Sequence, residues 1–112
     1  MTVSGEEAGA AVERALLASV GPGAAAEIAQ AQVRVAWEEV VTEAGLARGG
    51  MRSRIVRVAN GIGQVEASEP ILANELRLRG DALAWAVNRR MAGRPGATIE
   101  LRGVAVSVAR GD

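Results

Sequence analysis

The dipeptide Asn60-Gly61 constrains this chain more than any other feature of its sequence. Asparagine and glycine readily take the two positive φ angles of a two-residue hairpin turn, whose twist matches that of the strands on either side. The flanking runs M-R-S-R-I-V-R-V-A (51–59) and I-G-Q-V-E-A-S (62–68) alternate and are rich in valine and isoleucine, so a β-hairpin is predicted. Counting outward from the turn sets Ala59 against Ile62, Val58 against Gly63, Arg57 against Gln64, Val56 against Val65 and Ile55 against Glu66. In that register the valines share one face and Arg57, Gln64 and Glu66 the other, leaving one sheet face for helices to cover.

The chain changes period directly after the hairpin, in V-E-A-S-E-P-I-L-A-N-E-L (65–76). Ser68 is expected as an N-cap, Glu69 suits the positive end of a helix, and Pro70 in the first turn gives up only a donor the helix could not use. Ile71, Leu72 and Leu76 are expected to pack inward. R-G-D at 79–81 supplies a terminal glycine and a new N-cap aspartate, so the helix is predicted to break there. A further helix over Ala82–Ala92 carries Leu83, Val87 and Met91 four residues apart, and G-R-P-G at 93–96 turns the chain. The last strand is predicted from Thr98 to Val108, with a bulge at Gly103 where the alternation of Ile99 and Leu101 changes parity to Val104, Val106 and Val108.

Upstream, Ser4 and Glu7 have capping-box spacing, and Val12, Leu16 and Val20 with Ala15 form a stripe for a helix ending near G-P-G at 21–23. A second helix is predicted from Ala24 to Ala44, with Val33, Trp37, Val40 and Val41 on one face and Gly45 or Gly49-Gly50 as its stop. Trp37, centred in that stripe, is assigned to the core. A chain of 112 residues supports one core, so residues 1–112 are read as one α+β domain, with an N-terminal helix and turn over 1–23 and the core over 24–108.

With no histidine and no cysteine, the chain lacks the usual proton shuttle, metal ligands and thiol nucleophile. It also shows no P-loop and no nucleophile elbow, and Glu38 and Glu39 point to different helical faces. The expectation is a protein that is not an enzyme, with no catalytic residues, no cofactor and no metal. No run approaches the ~20 apolar residues that span a bilayer, and the start M-T-V-S-G-E-E is acidic, unlike a secretion signal. A cytoplasmic protein without a membrane partner is expected.

Charge is distributed unevenly. Residues 1–45 hold seven acidic residues and two arginines, and residues 46–112 hold six acidic residues and eleven arginines. A basic second half is an electrostatic footprint unless the fold interleaves the halves. Arg52, Arg54 and Arg57 on the first strand, with Arg77, Arg79, Arg89 and Arg90 on the helices, are the candidate track for phosphates, opposed by Glu66, Glu69, Glu75 and Asp81. The alternative is a mixed, solvated surface. Trp85 falls on a different helical face from Leu83 and Val87 and beside Arg89. It either closes the edge of the core or stands exposed as an anchor for a protein partner.

The predicted order α-β-β-α-α-β, preceded by one extra helix, is that of the type II KH fold with a three-stranded sheet. The chain also resembles the DciA family of bacterial replicative-helicase loaders over most of residues 10 to 108. Trp37, Val40 and Val41 before Gly45 follow that family's W-x-x-V-V-G-like helix. Val65, Ala73, Glu75 and Leu76 match its V-x-V-x-S-x-x-W-A-x-E-L block, with Leu72 where tryptophan is usual and Ser68 one position ahead of the family's serine. The resemblance implies an adaptor that binds the replicative DNA helicase and helps place it on single-stranded DNA. Some relatives carry basic or disordered extensions. Almost nothing follows the last predicted strand here, so nucleic-acid contact is expected from the folded domain.

Two other readings fit the same sequence. One is a general RNA-binding KH-like module, although the R-G-D-A junction at 79–82 lacks the G-x-x-G that lets phosphates approach the backbone, and G-R-P-G lies elsewhere. The other is a structural protein-interaction domain using the acidic helices 6–45.

Overall fold

The computed structural model describes residues 21–110, and the helix expected between Ser4 and Val20 lies outside them. The described chain runs α1 Gly21–Glu43, β1 Ser53–Ala59, β2 Ile62–Ala67, α2 Pro70–Leu78, α3 Gly80–Met91 and β3 Gly103–Val108. Three helices and one mixed sheet make an α+β architecture. The sheet has the order β1-β2-β3, with β1 antiparallel and β3 parallel to the central strand.

Helix α1 presents Ala29, Val33, Ala36, Trp37, Val40 and Val41 as one buried stripe, spaced as a single face of a 3.6-residue period. Gly21-Pro22-Gly23, predicted as a turn ahead of this helix, is helical; the three alanines that follow are the strongest helix formers available. The helix stops at Gly45, whose φ of 75° is left-handed. Gly45 N–H donates to Thr42 O at 3.1 Å and Leu46 N–H to Val41 O at 2.9 Å, a Schellman closure that tucks Leu46 into the core. Gly45→Ala is expected to lower stability by about 1–2 kcal/mol, the cost of a Cβ in the left-handed region, read as a shift in denaturant midpoint at unchanged slope.

Asn60 and Gly61, at φ 54° and 77°, form the predicted hairpin turn, and the three pairs nearest it are those expected. Beyond Arg57 the register shifts: Ile55 faces Val65, Arg54 faces Glu66 and Ser53 faces Ala67. Val56, predicted to face Val65 in the core, is instead the extra residue of a β-bulge and is exposed. Ile55 and Val58 are three apart, so a regular strand would send one of them to solvent; the extra residue resets the alternation and brings both inward. Deleting Val56 should therefore leave a regular ladder with the same core face. Its cost in thermal unfolding is expected to stay within about 1–2 kcal/mol, low for a deletion inside a strand.

The outer edge of β1 is closed by side chains of α1. Gln30 Nε2 donates to Val58 O at 3.2 Å and its Oε1 accepts from Val58 N–H at 3.0 Å, while Arg34 Nη2 donates to Val56 O at 3.3 Å. An edge so occupied offers little template for another strand.

Ser68 does not cap α2. Its N–H donates to Arg52 O at 2.7 Å and its Oγ accepts from Arg52 N–H at 2.9 Å, extending the β1–β2 pairing by a rung. Glu69 takes the N-cap position without a side-chain bond, and Pro70 is the first helical residue. Leu72, Ala73 and Leu76 are buried, whereas Ile71, expected inward, is 71% exposed; it lies about 140° round the helix from Leu76, outside the buried stripe.

The helix breaks at R-G-D as predicted, with different roles for its residues. Arg79 is the C-cap of α2 and the N-cap of α3, and Asp81 falls in the first turn of α3. Gly80 is helical and buried rather than terminal, and a Cβ there would stand 3.0 Å from Val104 Cγ2. Its missing side chain lets α3 approach β3.

The last strand begins at Gly103, not Thr98, so the change of parity marks a strand boundary rather than a bulge. Leu101 is held instead by Asn88, whose Nδ2 donates to Leu101 O at 2.8 Å and whose Oδ1 accepts from Leu101 N–H at 2.7 Å. Asn88→Ala would leave both backbone groups unpaired and is expected to cost about 2 kcal/mol; a chemical-denaturation midpoint unchanged from wild type would contradict that role.

The buried side chains of α1, α2 and α3 and of the covered sheet face, among them Trp37, Ile55, Val65, Leu72, Leu76 and Val87, form one core. Among the described residues no helix is long and apolar enough to cross a membrane.

Candidate functional site

All three described helices pack on one face of the sheet, and among the described residues no element covers the other, here called the open face. Alternation along β1 puts Arg57 and Arg54 on the open face, opposite Gln64 and Glu66 of β2, and Arg52 continues the row one rung further. Ala105 and Ser107 of β3 complete the same rungs. Apart from Ile62 at the hairpin end, the open face is polar and small-residued, with a line of arginines along one edge.

The arginines differ in what they touch. Arg57 Nε donates to Gln64 Oε1 at 3.1 Å, and Arg54 pairs with Glu66 at 3.2 Å, its side chain 73% exposed. Such an exposed ion pair contributes about 0–1 kcal/mol and yields readily to a competing anion. Arg52, among the described residues, has no acidic partner.

The four helical arginines stand elsewhere. Arg77 Nη2 donates to Val106 O at 3.0 Å, bracing β3. Arg79 pairs with Glu75 at 3.0 Å along the helix, and Arg90 pairs with Glu43, joining α3 to the end of α1. Arg89 lies over the Trp85 ring, 4.9 Å from its centroid. The fold thus brings Arg52, Arg54 and Arg57 together and directs the helical four to intramolecular contacts on the other side of the sheet.

At the end of the sheet the open face dips into a shallow depression of about 800 Å³. Arg52 and Arg54 line it, joined by Arg110, just past β3. Sequence reasoning missed Arg110 because no turn ties β3 to β2; their parallel pairing spans the two helices between them. Ser53, Ser68 and Ser107 also line the depression, as does Glu66.

The two tryptophans have opposite environments. Trp37 is 1% exposed and its Nε1 donates to Ser53 Oγ at 3.0 Å. Trp85 is 63% exposed, held against Arg89 by a cation–π contact. Leu78, at the end of α2, is also exposed.

The G-R-P-G turn is docked on α1: Arg94 pairs with Glu39 at 2.8 Å and Gln32 Nε2 donates to Pro95 O at 3.3 Å. Among the described residues no three acidic side chains gather as a metal site. No protein-family model matches the chain, and neither does any curated protein or solved structure.

Proposed function

We propose that this chain is a non-enzymatic adaptor, KH-like in its α-β-β-α-α-β order and resembling the DciA type, that contacts a replicative DNA helicase and single-stranded DNA. One observation carries the reading: an exposed tryptophan on α3 and a row of arginines on the open face stand on different sides of the same sheet. A protein and a strand can then be engaged together without competing for surface.

Trp85 has the properties of a partner anchor, being large, exposed and already ordered by Arg89, so little side-chain freedom is lost on docking. The strand-facing role falls to the sheet rather than to the α2–α3 junction, whose single glycine is taken up against Val104. Size-exclusion chromatography tests the reading: at low salt the chain should co-elute with a purified replicative helicase. Failure to bind either the helicase or single-stranded DNA ends it.

A further inference from the structure

We infer that the end of the open sheet face is a seat for backbone phosphates of a nucleic-acid strand, which continues along β1 over Arg57. This inference rests on the nucleic-acid half of the function proposed above and locates it.

The depression is lined by donors. Arg52, Arg54 and Arg110 line it, and the guanidinium group each carries is a planar fork suited to phosphate oxygens. Ser68 Oγ accepts from the Arg52 amide, which leaves its hydroxyl proton to donate into the depression; Ser53, which alternates with Arg52 and Arg54, turns its hydroxyl to Trp37 on the helix-covered side. Among the described residues that line the depression, Glu66 is the one acidic side chain, and Arg54 holds it.

Spacing argues for a strand rather than a lone anion. Residues two apart on a β-strand are about 6.6 Å apart, comparable to the interval between successive phosphates of an extended nucleic-acid chain. Arg52 and Arg54 have that spacing, and the bulge sets Arg57 further along on the same face. No aromatic residue lies on this face to stack bases, so contact is to the backbone and indifferent to base identity.

Fluorescence anisotropy of a labelled thymidine oligonucleotide tests the site. The double variant Arg52→Ala/Arg110→Ala is expected to weaken binding on the order of tenfold, and to make the slope of log affinity against log salt shallower by about 1.4, two single-strand phosphate contacts at about 0.7 each. Glu66→Gln is expected to tighten binding several-fold, an effect that misfolding cannot imitate. Arg90→Ala, on the other side of the sheet, should leave binding unchanged. Equal weakening by Arg90→Ala, or no response to the double variant, overturns the inference while leaving the adaptor reading standing. Displacement of the oligonucleotide by inorganic phosphate at matched phosphate concentration overturns the strand in favour of a single-anion seat. If the wild-type chain binds no oligonucleotide at low salt the seat is refuted, and helicase co-elution then decides the adaptor reading separately.

Discussion

Trp37→Ala is expected to destabilise the domain by about 3–5 kcal/mol, as large-to-small substitutions of buried aromatic residues do. Trp37 is the largest buried side chain in a core otherwise built from alanine, valine, leucine and isoleucine, with a single methionine. Small neighbours on fixed helices and strands cannot close over the space it leaves. The loss is compounded at Ser53, whose hydroxyl would forfeit the indole donor. Native domains are stable by only about 5–15 kcal/mol, so the variant should be partly unfolded at ambient temperature. Trp37→Phe keeps most of the volume and removes the hydrogen bond, and is expected to cost markedly less. Equilibrium denaturation followed by far-ultraviolet circular dichroism reads both; a Trp37→Ala midpoint close to wild type would mean that the helix does not depend on this contact with the sheet.

Trp85→Ala should show the reverse pattern. Because the ring is 63% exposed, its removal is expected to change stability by no more than about 0.5 kcal/mol. Binding to a replicative helicase, in contrast, should weaken about 30-fold or more, the loss of a hot-spot aromatic worth at least about 2 kcal/mol. Arg89→Ala should weaken the same interaction less, since the ring remains but is no longer held over a guanidinium group. Calorimetric titration of the helicase with each variant separates these effects from folding. Unchanged affinity on removing Trp85 would take this face of α3 out of the interface.

The two tryptophans show how far the sequence could be read. Trp37 is centred in an apolar stripe, and period alone assigns it to the core. Trp85 is off the Leu83–Val87–Met91 stripe, which allows either an exposed ring or a lid over the core edge, and only packing decides between them. The element order and the hairpin turn were legible for a similar reason, because Asn60-Gly61, Pro70, R-G-D and G-R-P-G are local signals with local consequences.

What was not legible depends on contacts distant in sequence. Val56 was misplaced because a bulge is invisible to counting from a turn and appears only when Ile55 and Val58 must both reach the core. Ser68 has the residue type and position of an N-cap, yet Arg52 across the hairpin claims its hydroxyl. Strand alternation over 98–108 continued through residues that Asn88 holds from a helix. The seven candidate arginines looked alike as a composition, but the sheet gathers Arg52, Arg54 and Arg57 and the helices disperse the rest. Arg110 joins the first group only through the parallel pairing of β2 with β3.

The most direct measurement follows backbone-amide and indole resonances of isotope-labelled chain during separate titrations with a thymidine oligonucleotide and with a replicative helicase. The oligonucleotide should move signals of Arg52, Arg54, Ser68, Ser107 and Arg110, and the helicase should broaden the Trp85 indole and its neighbours on α3. Perturbation of the same residues by both ligands, or of neither set, would contradict an adaptor with one surface for the strand and another for the protein.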